Sequence, residues 1–332
     1  RDRMPGTVAA WALAAALAAP GPRLFVGLGE VLWDVFPGAS RLGGAPTNFA
    51  CHAAALGRSA AVAAAVGDDA LGAEAVAALR AKRVRTDWVQ THPTLPTGRV
   101  DVAVGPGGEP TYTIAEPAAW DALRWTPALE DLAAQAGAVC FGTLAQRAGA
   151  SREAIAAFVA AASSAVATLD ANLRAPAFDR RALSASLARA HVLKLNGEEC
   201  GPLLEALGPG LEGGDAPAEV AARLFPAHPQ LALVVVTLGP DGCRLLARGC
   251  DVAAPAPAVE VVDTVGAGDA FTAALLSRLL AGDAPPRDAL LAASASPEAL
   301  RAAGRFAARY GAHVCANRGA TPEPPPWALG EA

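Results

Sequence analysis

Gly266-Ala267-Gly268-Asp269 stands between an apolar run and the Ala/Leu-rich segment from Ala270 to Leu280, and its residue types suit a phosphate. Two glycines flanking one alanine let the backbone turn sharply and point successive N–H groups into one concavity. A helix opening there adds unsatisfied donors and about half a positive charge, so phosphate oxygens are favoured without a lysine. Asp269 is the odd member of such a site. Either it caps the helix, or its carboxylate faces the same concavity and takes the proton of a hydroxyl attacking the bound phosphorus.

Other residues with fitting chemistry follow apolar runs elsewhere. Asp170-Ala171-Asn172-Leu173-Arg174, Lys194-Leu195-Asn196-Gly197-Glu198-Glu199 and Thr237-Leu238-Gly239-Pro240-Asp241-Gly242 each end one. They offer a cation (Lys194), a planar phosphate donor (Arg174), an amide and acid pair (Asn196, Glu199) and a hydroxyl beside glycines (Thr237, Gly239, Gly242). Nearer the N-terminus, Gly43-Gly44-Ala45-Pro46-Thr47-Asn48 would lay bare backbone against a ligand, and Asn48 brings the donor and acceptor that sugar hydroxyls want. Asp34 sits in an alternating run beside Leu32 and Trp33. A lone acid on a strand usually faces solvent, but these neighbours also allow it to face a pocket.

Phosphoryl transfer asks mostly for positioning and charge neutralisation, which this set supplies. No G-x-x-x-x-G-K-[ST], H-E-x-x-H or G-x-S-x-G occurs, so P-loop, metalloprotease and serine-hydrolase chemistry lack support. Gly27-x-Gly29 fails as a dinucleotide fingerprint because its third position is Leu32 and no helix opens there.

To position these residues the chain has 332 residues, 53% of them hydrophobic, with a formal charge of −5. That length buries a real core, and the acidic balance argues against nucleic acid or an anionic membrane as partner. The cationic run Arg80 to Arg85 reads as a solvated helix end complementing the dipole. Six cysteines without a C-x-x-C pair read as reduced, mostly buried thiols. Arg1 to Arg3 followed by Val8 to Ala19 imitates a short signal peptide. The stretch is alanine-dominated and too short to span a membrane, so residues 1–22 are expected to be a disordered extension of a cytoplasmic protein.

Leu24 to Leu28, Ala60 to Val66, Ala138 to Phe141, Ala165 to Leu169, Val192 to Leu195, Leu231 to Val236 and Arg244 to Ala247 read as strands alternating with helices, a rhythm that predicts βαβ units and a mainly parallel sheet to the end of the chain. In such sheets the ligand crevice lies outside the strand C-termini, where the loops named above would meet. Thr97 to Val104 and Pro110 to Ile114, joined by Gly105 to Glu109, predict a hairpin that forms a small separate sheet with Val31 to Phe36. Beside a pocket, such a sheet suits a lid.

Asp263-Thr264-Val265-Gly266-Ala267-Gly268-Asp269-Ala270-Phe271 and Gly43-Gly44-Ala45-Pro46-Thr47-Asn48 resemble the two signatures of the ribokinase-like (PfkB) carbohydrate kinases, over about residues 24 to 320. The Gly-Gly-Ala-Pro form, Asp170-x-Asn172-Leu173-Arg174 and Val236-Thr237-Leu238-Gly239 are similar to the fructokinase branch. The resemblance implies an α/β kinase domain over residues 23–325 with a β-lid from 31–36 and 97–114. It implies ATP and Mg2+, with K+ as a further ion, a fructose-like sugar phosphorylated on a primary hydroxyl, and a homodimer through the lid. Ribose, 2-keto-3-deoxygluconate or a nucleoside as acceptor, or a silent sugar-binding regulator, are the alternatives.

Residue by residue, the resemblance makes Asp269 the base and the backbone of Gly266, Ala267 and Gly268 the anion hole. Asp34, Gly43, Gly44 and Asn48 become sugar contacts, and Lys194, Arg174, Thr237, Gly239 and Gly242 nucleotide or phosphate contacts. Asn196 and Glu199 would hold magnesium through water, and Asp263 and Val265 a monovalent cation. Ala171 replaces the usual proline of the Asp-Pro-Asn-Leu-Arg element, Ala308 stands where an adenine-side Asn is common, and Glu116 to Trp120 lie where a sugar-specific wall belongs. A free aspartate has a pKa of about 3.9, so as a base Asp269 would take its proton late, as the attacking oxygen commits to phosphorus.

Overall fold

A computed structural model describes residues 23–36, 38–104, 110–173, 179–208 and 214–331. The expected N-terminal extension, the Gly105–Glu109 turn and Arg174 lie outside the described residues.

The strands in chain order are β1 (Leu24–Leu28), β2 (Leu32–Phe36), β3 (Ala39–Gly43), β4 (Ala60–Gly67), β5 (Val89–His92), β6 (Gly98–Val104), β7 (Pro110–Ile114), β8 (Ala136–Gly142), β9 (Val166–Asp170), β10 (Val192–Asn196), β11 (Leu233–Thr237), β12 (Cys243–Ala247) and β13 (Cys250–Ala254). Nine of them form one sheet in the order β13-β12-β11-β10-β9-β8-β1-β4-β5. From β11 to β5 it is parallel. Its inner strands are buried along nearly their whole length, as in a sheet covered on both faces, with polar residues such as Asp170, Lys194 and Asn196 at or near the C-terminal ends of β9 and β10; every residue of β4 is buried.

Two apolar clusters fill the faces. On one, Phe49, Ala75, Phe271, Leu300 and Tyr310 bring the helices Ala45–Ala55, Ala70–Ala81, Ala267–Leu279 and Pro297–Cys315 onto the sheet. On the other, Leu129, Phe158, Leu183, Leu203 and Val220 do the same for Pro127–Gln135, Gly149–Ala161, Arg180–Leu187, Cys200–Leu207 and Pro217–Ala227.

The order reverses between β1 and β8: the chain leaves β1 toward β4 and later leaves β8 toward β9. Diverging connections open a crevice at the strand C-termini there. In register, Gly142 is paired with Asp170, Asp170 with Lys194, and Asn196 with Thr237, so these ends finish flush along one edge.

The small sheet has the order β3-β2-β6-β7. It contains the expected strands plus β3, whose short Ala39–Gly43 run carries too few apolar residues to announce itself. The expectation of a βα rhythm to the end of the chain is corrected. β12 and β13 are antiparallel, and only helices follow them. Arg248-Gly249 is the whole connection between them, far too short for a parallel crossover. All six cysteines are free thiols, four of them buried. Among the described residues no helix is long and apolar enough to cross a membrane.

Candidate active site

Gly266 opens the helix Ala267–Leu279 in the left-handed region, φ 79°, with Asp269 in its first turn. A side chain at 266 would also run into the Ala320 carbonyl, so glycine is required twice over. Ala320 belongs to a loop fixed from the other side: its carbonyl accepts from His52 Nε2 at 2.9 Å. The helix mouth is therefore braced against the helix Ala45–Ala55; its first N–H groups have no intrahelical partners by geometry, and that of Ala267 makes a long contact of 3.3 Å to the Thr264 carbonyl.

That second helix starts from the Gly43-Gly44 turn. Gly44 has φ 104°, and a Cβ there would stand 2.5 Å from the Glu30 carbonyl. One turn on, Asn48 Nδ2 donates to Asp269 Oδ2 at 2.8 Å, while Asn48 Oδ1 is buried without a partner. The two motifs, more than 200 residues apart in sequence, meet at one carboxylate. Burial, followed by the negative charge of Asp170, pushes the Asp269 pKa up to about 8 against the pull of Asn48 and Lys194. The weak-base expectation is thereby revised: the folded environment makes Asp269 a much stronger proton acceptor than free aspartate.

Glu30 joins this group. It directly follows the β1–Gly29 bend, is buried, and accepts the N–H of Ala45 at 3.2 Å with Oε1 while Oε2 has no partner. Burial, partly offset by backbone N–H groups, lifts its pKa to about 7. Sequence reasoning passed over Glu30; the signal was an acid placed directly after a buried strand.

Lys194 lies between Asp170 and the helix mouth. Its ammonium is 3.1 and 3.2 Å from the two Asp170 oxygens, and a Cβ on Gly268 would come within 2.9 Å of it. Burial alone would lower its pKa, but Asp170, Asp269 and Glu199 outweigh that and raise it. Asp170, quoted in a motif but given no role of its own, is the partner that holds this cation in the site.

Asn196 and Glu199 cap one another: Glu199 N donates to Asn196 Oδ1 at 3.0 Å and Asn196 N to Glu199 Oε2 at 2.8 Å. Glu199 Oε1 accepts Leu173 N at 2.8 Å. Each carboxylate oxygen thus holds one backbone N–H and keeps a lone pair, which fits magnesium bound through water. Burial raises the Glu199 pKa despite Asn196 N and Lys194. Thr237 ends β11 beside Asn196, with Gly239 and Gly242 in the short turn that follows.

Asp34 is half-buried on β2, and a Cβ on Gly43 would be 2.5 Å from its Oδ2, so it lies against the Gly43-Gly44 turn. The Asp263 carboxylate is engaged by protein donors. It accepts Val265 N at 3.1 Å, Gly319 N at 3.0 Å and Arg41 Nη1 at 2.7 Å. Among the described residues no group of three or more His, Cys, Asp and Glu side chains could hold a metal ion directly.

The segment expected to wall the sugar, Glu116 to Trp120, packs on Arg147, a residue the sequence reading missed. The Arg147 guanidinium donates to Asp121 Oδ1 and Oδ2, both at 2.8 Å, to Glu116 Oε1 at 2.9 Å and to Ala115 O at 3.0 Å, and lies 3.9 Å over the Trp120 ring.

The chain is similar in sequence and fold to known carbohydrate kinases. The pattern of the pfkB family carbohydrate kinases matches residues 29–327. Fructokinase of Klebsiella pneumoniae is 33% identical over 278 residues, 80% of this chain and 87% of that one. The Arabidopsis thaliana protein "Probable fructokinase-6, chloroplastic" is 31% identical over 319 residues, 90% of this chain and 78% of that one. Fructokinase with bound ATP from Xylella fastidiosa superposes with a TM-score of 0.81 at 24% identity, covering 93% of this chain and 97% of that one.

Proposed function

The chain belongs to the pfkB family of carbohydrate kinases, and on that premise we propose that it transfers the γ-phosphoryl group of ATP to a primary hydroxyl of a fructose-like sugar. The observation that carries the residue roles is the 2.8 Å contact between Asn48 and Asp269, which puts the sugar-side helix and the phosphate-side helix on the same carboxylate.

In this reading the sugar lies against Gly43 and Gly44 with its hydroxyls on Asp34 and Asn48. The primary hydroxyl oxygen attacks the γ-phosphorus, its proton passes to Asp269, and the bond from phosphorus to the ADP oxygen breaks. Backbone N–H groups of Gly266, Ala267 and Gly268 face the equatorial oxygens of the phosphoryl group in flight, at the positive end of the helix. Lys194 neutralises charge on the transferring phosphate, with Arg174, Thr237, Gly239 and Gly242 along the nucleotide. Magnesium, reached through water by Glu199 and Asn196, would neutralise the phosphate oxygens. The four-stranded sheet is the lid, and its edge strands β3 and β7 supply a surface for a homodimer in the cytoplasm.

ATP consumption measured on a panel of fructose, ribose, 2-keto-3-deoxygluconate and nucleosides tests the reading. Fructose is expected to give a kcat/KM at least about tenfold above the others, the scale of one well-placed polar contact. Equal turnover of ribose, or ATP use without any sugar, would refute it.

A further inference from the structure

The carboxylate of Asp263 ties three segments together. Oδ1 accepts Val265 N at 3.1 Å, which shapes the turn leading to Gly266; Oδ2 accepts Gly319 N at 3.0 Å, from the loop that packs on Gly266; and Arg41 Nη1 reaches Oδ2 at 2.7 Å from β3 of the small sheet. A carboxylate that gathers backbone donors around a phosphate-binding turn needs a counter-charge. The family resemblance puts a monovalent metal ion there. This chain puts a guanidinium there instead, and the hydrogen bonds to the carboxylate come from N–H donors, where a metal ion needs oxygen ligands. The adjacent Cys315 carbonyl is engaged as well, by Val262 N at 2.8 Å and Asp263 N at 3.1 Å.

Arg41 is built into this position. It pairs in register with Asp34 on β2, its guanidinium lies 5.0 Å from the centre of the Phe36 ring, and its Cδ is 4.0 Å from where a Cβ on Gly319 would stand. Its side chain keeps 39% of its surface exposed and that of Asp263 only 17%, so the cation approaches from the solvent side and seals the carboxylate beneath it. An exposed pair of this kind adds little to global stability. What it supplies is a positive charge at a fixed place.

We propose that Arg41 is a built-in monovalent cation: it orders Asp263, and through it the Val265–Gly266 turn, so that the phosphate site forms without potassium or any other monovalent metal ion. Because Arg41 sits on the small sheet, the same contact links that sheet to the helix mouth. The part of the inference that concerns turnover rests on the kinase reading; the part that concerns ion binding does not.

The test compares KCl with choline chloride at equal ionic strength, reading both the thermal midpoint and sugar-dependent ATP use, for the wild type, Arg41→Met and Arg41→Lys. The wild type is expected to have the same midpoint in both salts and turnover within about twofold. Arg41→Met keeps the apolar stem over Phe36 and loses the charge. In choline it should lose about tenfold or more in turnover, the scale of one hydrogen bond to a charged group, and KCl should restore it saturably and raise its midpoint. Arg41→Lys should stay independent of K+. Activation of the wild type by K+ beyond about threefold would overturn the proposal, as would an Arg41→Met enzyme unchanged in choline or not rescued by KCl. If no sugar is phosphorylated, the kinase reading fails by itself, and the midpoints still decide: a K+ effect on the wild type, or none on Arg41→Met, rejects the built-in cation.

Discussion

Two polar clusters flank the crevice, each built round one cation, and they differ in how fully that cation's surroundings are satisfied. Around Arg147, guanidinium N–H groups meet Asp121, Glu116 and the Ala115 carbonyl, with the Trp120 ring beneath. Around Lys194, one ammonium stands in the field of Asp170, Asp269 and Glu199, and nearby Glu30 Oε2 and Asn48 Oδ1 are buried without partners. In the first cluster the carboxylates meet the guanidinium, although the buried Trp120 Nε1 has no hydrogen-bond partner. The second carries an excess of acid that folding alone does not stabilise, and it becomes complete only with a proton, a cation or a ligand. Buried acid without a donor, more than charge itself, marks the reactive site.

The comparison breaks most readily at Asp269. Asp269→Asn should keep sugar and nucleotide binding within a few-fold while turnover falls by about two decades or more, the worth of general-base help. Steady-state kinetics with calorimetric Kd values checks it, and near-normal turnover would remove Asp269 from the chemistry. Lys194→Met removes the one ammonium from the acid-rich cluster. Turnover should fall about a hundredfold, as when a preorganised electrostatic donor is lost, and the ascending limb of the pH profile should move to higher pH because Asp269 loses a charge that favours its ionised form.

Arg147→Ala probes the opposite cluster. Arg147 and Asp121 side chains are each only 11% exposed, so removing the guanidinium strands a buried carboxylate; urea unfolding should show a loss of about 3 kcal/mol with kcat changed far less than in the two variants above. A kcat loss matching that of Asp269→Asn would erase the distinction between the clusters.

The smallest effect expected is a matter of pH. Ionised Asp269 is the active form, so kcat/KM should climb with pH through about 7 to 8, the values to which Glu30 and Asp269 are pushed, and level off only above that range, with the apparent pKa belonging to the coupled group. Stability runs the other way. A carboxyl whose folded pKa lies above its unfolded value holds its proton more tightly in the native state, so stability falls as pH rises from the unfolded to the folded pKa. Glu30→Gln should therefore be no more stable than wild type near pH 4.5 and gain up to about 3 kcal/mol above pH 7. A gain already present at pH 4.5 would mean the substitution acts by packing.

Much of this protein was legible before any coordinates. Mostly apolar runs of four to eight residues ending in glycine or polar residues made the parallel strands legible, because a strand buried on both faces has little polar alternation. Gly44 and Gly266 were legible because only glycine suits their positive φ beside close backbone. β3 and β5 were not, since short, half-buried edge strands draw their stability from partners rather than from their own residues. Glu30, Arg41 and Arg147 were missed for a related reason: each is an ordinary charged residue locally, and acquires its role from Ala45, Asp263 or Asp121, which lie 15, 222 and 26 residues away.

The sequence by itself determined the kind of chemistry, through residue types and glycine spacings whose meaning is local: a helix mouth for an anion, an acid in its first turn, a bare-backbone turn before Asn48. Only the tertiary structure decided the energies. The pKa of Asp269 depends on burial and on Asp170, and the charge at Asp263 is met by Arg41; both follow from distances across strands and helices that no local pattern encodes. Electrostatic interaction varies with separation and with the medium between the charges, and folding fixes both.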